Sequence, residues 1–426
     1  MGISAIILIG SLLLLLVLGV PIAVCMAGAA IITMLYTGEM GLIVFPQRIF
    51  ATVDSFPFLA IIFFMLAGEL MMLSGMSKRL VNFVNFFMHG VRGSLALISL
   101  VTCAFFGALS GSAMATTAAV GNVMYPEMIK DGEYEKSFAA ATQAVGGTLG
   151  TMIPPSITLV VYATLTNTSV GTLFMAVFVP GVLMCIVYCI AGYFLVVRRN
   201  MAQSKSLPPG VSFFTVFKDA IWALLTPVII LGGIYSGIFT PTESAAIACF
   251  YALFVGVFVY RELTVKIIVN ALRRSTIGAA GVLFLCACAG LFAWVMQVQG
   301  IANVIIQFLL GIINNKVQFL IIANITYLIF GMFMDTGAIQ LLLTPLFFLV
   351  ANALGVDLIH YGVITCINLS VGTITPPFGS CLFVANGIDR SIPIEKIYKQ
   401  VIPFCIAALV GIGIITAIPI LSTWCK

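Results

Sequence analysis

Charged side chains make up only 8% of the 426 residues, and there are two histidines and three tryptophans in the whole chain. So little charge excludes an ordinary soluble surface, which needs about a quarter of its residues charged. It also excludes a nucleic-acid patch, because the net charge is only +5 and the lysines and arginines are scattered through short segments. Eleven cysteines are present, yet there is no Cys-x-x-Cys and no neighbouring histidine cluster, so packing is expected of them rather than disulfide or metal chemistry. No Walker-type phosphate loop occurs, which argues against direct ATP hydrolysis. No chain of buried Asp, Glu and His is available to relay protons, since His89 and His360 fall near the predicted membrane edges.

What fills the sequence is apolar. Hydrophobic residues reach 62%, and the mean hydropathy of +1.20 reads as an all-α polytopic membrane protein. The run from Ile3 to Tyr36 has no basic start and outlasts a signal-peptide core, so it is expected to be retained membrane structure. Within such segments Gly150-Thr-Met-Ile-Pro-Pro155 returns as Gly372-Thr-Ile-Thr-Pro-Pro377, offset by 222 positions. Paired prolines remove backbone donors and free carbonyls that lipid cannot satisfy, so such breaks persist only inside protein or along a polar cavity. Broken helices repeated in two halves point to the binding site of a secondary transporter.

The charges set an order of elements. Two helices, Ile3 to Leu18 and Pro21 to Thr37, precede a loop carrying Arg48 and Asp54, and a span from Phe56 to Met72 ends at Lys78-Arg79. An interfacial helix over Val81 to Val91 follows. Leu95 to Met128 forms two apolar arms around Ser110-Gly-Ser112, with Arg92 and Lys130 at its feet; charge at both feet predicts a re-entrant hairpin opening to the cytoplasm. Phe138 to Thr166 is the first broken helix, and Leu173 to Val197 returns to Arg198-Arg199 and Lys205, before a Pro208-Pro209-Gly210 linker. The pattern then restarts with Trp222 to Tyr235, a span after Phe239-Thr-Pro-Thr-Glu243, a basic stretch with Arg273 and Arg274, and a helix from Thr276 to Val298. A second hairpin, Gln318 to Leu354 with Asp335-Thr-Gly337 at its tip, precedes the second broken helix, Ile359 to Ile388. A last span, Ile402 to Leu421, leaves Lys426 outside.

Phe106-Gly107 aligns with Phe330-Gly331 at an offset of 224, close to that of the proline motif, so hairpin and break recur in order and nearly in register. An inverted repeat follows, with the two hairpin tips meeting beside the two breaks. Residues 94–170 and 318–388 are then expected to form a transport domain. Residues 1–93, 171–317 and 389–426 supply scaffold helices and interfacial arms around it. Unwound carbonyls and Ser or Thr oxygens are hard ligands for an alkali cation, and exposed helix N-termini favour an anionic substrate, so sodium is expected rather than a proton. Gly146 to Gly150, taken alone, is a helix-packing spacing. Glu69 and Glu243 lie close to predicted helix ends, where capping is the ordinary role. Asp335 stands out, because a carboxylate deep in an apolar segment needs a cation or donors.

Phe64-Met-Leu-Ala-Gly-Glu-Leu70, Ser110-Gly-Ser-Ala113, Ile153-Pro-Pro-Ser156, Thr240-Pro-Thr-Glu-Ser244, Tyr260-Arg-Glu-Leu263, Phe333-Met-Asp335 and Thr375-Pro-Pro377 occur in this order. Together they resemble the large membrane subunit of tripartite ATP-independent periplasmic (TRAP) transporters, nearly end to end. The resemblance implies a multi-pass protein of the bacterial inner membrane, not an enzyme, working by a sodium-driven elevator. It implies as partners a small four-helix membrane subunit and a soluble periplasmic binding protein that delivers an organic acid. It further implies two sodium sites, one from Ser110, Ser112, Gly150, Ile153 and Pro155, the other from Gly331, Asp335, Gly372, Thr375 and Pro377. Ser112, Thr116, Ser156 and Thr336 are the expected substrate contacts. Many relatives carry an acidic residue where this chain has Thr116; with Thr116 and Thr117 there, a polyhydroxylated acid such as sialic acid is favoured over a C4-dicarboxylate. A stand-alone dicarboxylate or citrate symporter of the same architecture is the alternative. An intramembrane serine protease is disfavoured, since Ala108 stands where its Gly-x-Ser-Gly motif needs glycine.

Overall fold

A computed structural model describes residues 2–38, 41, 43–91, 93–130, 133–201, 212–313 and 315–425. Arg92, Lys205, the Pro208-Pro209-Gly210 linker and Lys426 lie outside the described residues. The described chain is helical throughout, and eight of its helices are long and apolar enough to cross a membrane.

The two hairpins and two broken helices fall where the repeat places them. The first hairpin is Ser94–Ser110 and Ala113–Ile129, and the first broken helix is Lys136–Met152 followed by Ile157–Thr166. The second hairpin is Lys316–Gly331 and Thr336–Ala353, and the second broken helix is Leu358–Gly372 followed by Ser380–Ile388. The leading halves of the broken helices form the centre of the molecule. Every residue from Ser137 to Met152 and from Ile359 to Gly372 is buried. Alanine, glycine, serine and threonine dominate the first of these segments, and small side chains there let neighbouring helices close in on all sides.

Several boundaries differ from the sequence reading. Arg48 sits on a helix, Val44–Val53, where its guanidinium lies 4.7 Å from the Trp294 ring centroid. Lys78 and Arg79 open the surface helix Met76–Met88 rather than closing the preceding span, Phe56–Leu73. Arg79 bonds Glu262 at 2.7 Å and covers the Tyr260 ring at 3.7 Å, so it is held as part of a joint between helices. Arg273 and Arg274 lie inside a single helix, Val265–Val298, which an amphipathic first half continues from the surface into the membrane. The span expected from Trp222 begins at Phe213, and Phe213 packs on Phe86 at 5.7 Å, so the start of this helix and the surface helix Met76–Met88 share one aromatic cluster. A short helix, Ile301–Ile312, precedes the second hairpin, whose first arm starts at Lys316, two residues before the expected boundary at 318.

The two repeats are also tied at one end. The Tyr125 hydroxyl, on the first hairpin, donates to Asp389 Oδ2 at 2.6 Å, and Lys136 Nζ lies 3.4 Å from the same oxygen. Bonds from Ser391 and Tyr125, with Lys136 nearby, hold the Asp389 carboxyl well below the usual carboxylate range. Its folded pKa being depressed, the stability it adds is present above the ordinary carboxylate pKa and is lost only as pH falls below it. Tyr125→Phe should lower stability by about 1 kcal/mol, read as reduced thermal stability in detergent; an unchanged melting curve would mean the tie is incidental.

Candidate functional site

Each hairpin tip rests on a broken helix through a pair of glycines. A methyl group on Gly107 would lie 2.8 Å from Gly150 Cα, and one on Gly331 would lie 2.9 Å from Gly372 Cα. No other residue leaves room for backbone to approach backbone in this way. Beyond the glycines the chain repeats a backbone bond: Ile157 N–H donates to Gly111 O at 3.4 Å, and Phe378 N–H donates to Met332 O at 3.1 Å. Donor and acceptor are each displaced by 221 positions (378 − 157 and 332 − 111), so the repeat anticipated from the prolines holds in three dimensions. The Pro154–Pro155 and Pro376–Pro377 bonds are both cis. The two breaks meet each other where Thr151 Oγ1 and Ser370 Oγ share a hydrogen at 2.6 Å and the Cys366 thiol donates to Thr151 O at 3.3 Å.

At the first tip the expected ligands cluster. The Ser110 and Thr116 hydroxyls are 2.8 Å apart, Ser110 Oγ reaches Ser112 O at 3.4 Å, and Ser112 Oγ caps the second arm by accepting from Ala115 N–H. A methyl on Gly150 would fall 2.6 Å from Ser112 O and against the Thr116 hydroxyl, while one on Gly111 would lie 2.8 Å from Pro155 O. Ile153 ends the helix Lys136–Met152 in extended conformation. Ser110, Thr116, Gly150, Ile153, Pro155 and Ser156 are all buried and Ser112 is half-buried, so the oxygens here form a buried cluster. Thr117 is turned to its own helix, donating to Ala113 O at 2.9 Å.

The second tip is open. Gly331 and Gly372 are buried, but Asp335 and Pro377 are exposed. Asp335 caps the second arm, its Oδ2 accepting from Gly337 N–H at 3.0 Å, so backbone donors supply part of the compensation its carboxylate needs. Thr375 donates to Val371 O at 2.9 Å, and Pro377 O is already taken by the Tyr398 hydroxyl at 2.6 Å. Phe333 and Phe378, both mostly exposed, pair at 6.1 Å along this rim. Thr336 begins the second arm beside Asp335, and no hydrogen bond among the described residues joins it to Ser112 or Thr116. Ser156 starts the trailing half of the first broken helix with its hydroxyl 3.8 Å from the Cys366 sulfur and no side-chain cap on its own helix.

The two isolated glutamates differ. Glu243 makes a capping box with Thr240, an ordinary helix-start role. Glu69 lies within Phe56–Leu73, and its buried Oε2 has no hydrogen-bond partner; the neighbouring Gly68 packs directly on Ser110. Gln340, which the sequence reading passed over, is fully buried four residues after Thr336 with neither amide atom bonded. An amide in an apolar hairpin arm was the available signal. Among the described residues no group of three or more His, Cys, Asp and Glu could hold a metal ion, and what the two tips offer a cation is oxygen alone.

The family model described as the tripartite ATP-independent periplasmic transporter DctM component matches residues 9–421. Similar proteins include the C4-dicarboxylate TRAP transporter large permease DctM of Pseudomonas aeruginosa, 40% identical over 88% of this chain and 87% of that one. The isethionate TRAP transporter permease DctMQ of Oleidesulfovibrio alaskensis is 38% identical over 97% of this chain, which spans 65% of that protein's length. The sialic acid TRAP transporter large permease SiaM of Vibrio cholerae is 33% identical over 94% of this chain and 93% of that one. In fold, the chain resembles the crystal structure of the YdaH transporter of Alcanivorax borkumensis, with a TM-score of 0.65, 16% identity, and coverage of 92% of this chain and 88% of that chain.

Proposed function

The chain belongs to the DctM component family of TRAP transporters, as a large permease, and on that premise we propose that it couples sodium entry to uptake of an organic acid anion across the bacterial inner membrane. The observation that carries this is the constellation built twice, a hairpin tip seated by paired glycines on a broken helix. At the first tip buried hydroxyl and carbonyl oxygens gather as hard ligands suited to an alkali cation, the second tip carries Asp335 and Thr375 on an open rim, and the trailing half-helices begin without side-chain caps at Ser156 and Gly379. Bound cations and uncapped N-termini then complement the negative charge of the substrate between the tips. The ions are cargo, and their binding at the breaks prepares the site for the anion.

Sialic acid and C4-dicarboxylates are the substrate classes proposed, in keeping with what relatives are named for. Thr116 and Thr117 are engaged within the first hairpin, so Ser112, Ser156 and Thr336 are the better-placed hydroxyls for the substrate. Family membership supports the two partners, a small four-helix membrane subunit and a soluble binding protein. Movement is assigned to residues 94–170 with 318–388, sliding as one body against the remaining helices. The Thr151–Ser370 bond supports treating both repeats as that one body.

The test is uptake in proteoliposomes containing the chain, the small subunit and the binding protein. Uptake should require an inward sodium gradient, and Ser110→Ala and Asp335→Ala should each raise the half-saturating sodium concentration by about tenfold, the equivalent of one charge-assisted bond. Full uptake on a proton gradient in sodium-free buffer would overturn the coupling. Unchanged sodium affinity in both variants would overturn the site assignment, and robust uptake by this chain alone would favour the stand-alone symporter.

A further inference from the structure

The bond that seats the second tip also brings two phenylalanines together. Phe378 N–H donates to Met332 O and Phe333 follows Met332, so the pair is fixed with ring centroids 6.1 Å apart and planes at 45°. Each phenylalanine is 57% exposed. What they face is water. Asp335, two residues on, is exposed on the same rim, and a carboxylate turned to lipid carries a heavy cost. Pro377 O, beside Phe378, takes the Tyr398 hydroxyl, and Tyr398 lies one turn from the start of Ile394–Ala417, among the exposed Glu395, Lys396 and Lys399. Two rings held open at such a rim are an apolar surface without a cover, of the kind that lines small-molecule sites.

The first tip has no such surface. The offset of 221 that relates the two seating bonds puts Ser112 in the place of Phe333 and Ile157 in the place of Phe378 (333 − 112 and 378 − 157). A molecule between the tips therefore meets hydroxyls on one side, from Ser112 and Ser156, and aromatic faces on the other. Charge is equally uneven. No lysine or arginine occurs from 94 to 129, from 137 to 166 or from 317 to 388, and the charge that the rim does carry, on Asp335, is negative. One anionic group can be answered by bound sodium and backbone donors. A second would lie beside Asp335 with no cationic side chain to answer it, and a desolvated charge without a partner is costly.

We propose that Phe333 and Phe378 are a platform for the body of the transported anion, and that the substrate is a monoanion with a ring or another C–H-rich face, of the sugar-acid kind, rather than a dicarboxylate. Its single anionic group points towards the breaks, where sodium binds, and its hydroxylated edge faces Ser112 and Ser156. Its C–H face lies on the two rings, whose negative π faces attract C–H hydrogens. A C4-dicarboxylate offers no such face and leaves its second carboxylate unanswered. This assignment rests on the transport reading above and narrows its substrate class.

Equilibrium binding to the chain and its small subunit, in nanodiscs and sodium buffer, tests this without the soluble binding protein, whose own selectivity would otherwise be measured. The ring-bearing probes are N-acetylneuraminate, glucuronate and quinate, and the dicarboxylates are succinate, malate and fumarate. At least one ring-bearing acid should bind about tenfold more tightly than any dicarboxylate. Phe333→Leu and Phe378→Leu keep apolar bulk but lose the ring, so each should weaken that acid about five- to tenfold, the scale of one aromatic contact, and leave dicarboxylate binding where it was. Phe383→Leu, at a half-exposed phenylalanine further along Ser380–Ile388, is the control and should bind as wild type. A dicarboxylate as the tightest ligand, no binding of any ring-bearing acid, or undiminished affinity in both platform variants would overturn the proposal. Sodium-driven uptake of a dicarboxylate in preference to the ring-bearing acids would also overturn it while leaving the coupling intact. Ring-acid binding that is unchanged when potassium replaces sodium would count against the coupling and leave the platform standing, so the two readings fail separately.

Discussion

Gly107→Ala and Gly331→Ala will each reduce uptake by about 10- to 100-fold, the range expected when a methyl group is forced into a filled contact at 1–3 kcal/mol. The reason is what the methyl meets. At Gly107 it would lie 2.8 Å from Gly150 Cα and from Leu149 O, and at Gly331 2.9 Å from Gly372 Cα. These are backbone atoms of the most buried helices in the protein, and no side-chain rotation relieves them. The hairpin tip must lift instead, which separates the oxygens of tip and break. Gly232→Ala, where the added methyl would meet nothing within 4 Å, is the control and should behave as wild type. If the two tip variants keep wild-type uptake, the tips are not seated on the breaks during transport.

A covalent bridge between hairpin and frame will stop uptake altogether. Asn324, on the second hairpin, donates to Thr416 Oγ1 of the C-terminal helix at 3.2 Å, so cysteines at these positions can be joined in a chain from which the eleven native cysteines have been removed. Uptake should fall to that of protein-free liposomes on oxidation and return on reduction. Joining Thr151 to Ser370 in the same way links two parts of the proposed moving body, which meet at 2.6 Å, so oxidation should make no difference there. Uptake that survives the Asn324–Thr416 bridge would sink the elevator and leave local opening of the hairpins as the account of access.

Much of the architecture was legible because membrane insertion leaves a blunt record. Apolar length separates spans from loops, and the paired prolines at Pro154-Pro155 and Pro376-Pro377 cannot be read as ordinary helix. The misreadings of charged residues share one cause. Charge puts Arg48 in a loop, Arg79 at the end of a span, and Arg273 and Arg274 in a basic stretch before a helix, yet each lies on a helix, where an amphipathic segment tolerates charge on one face. Ile301–Ile312 escaped notice for a different reason, since its uncharged, apolar residues merge with the neighbouring spans.

The sequence by itself determined the fold class, the family, the two-fold repetition and the order of hairpin and break, since each follows from composition, spacing or a motif carried on contiguous residues. Only the tertiary structure decided which atoms remain available. Ser110 and Thr116 turned to each other, Pro377 gave its carbonyl to Tyr398, Asp335 was turned to its own helix start, and Gln340 and His360 were left with unanswered atoms. Hydrogen bonds saturate: an oxygen engaged by a residue many positions away is no longer free for an ion, and no local pattern records which distant residue arrives first.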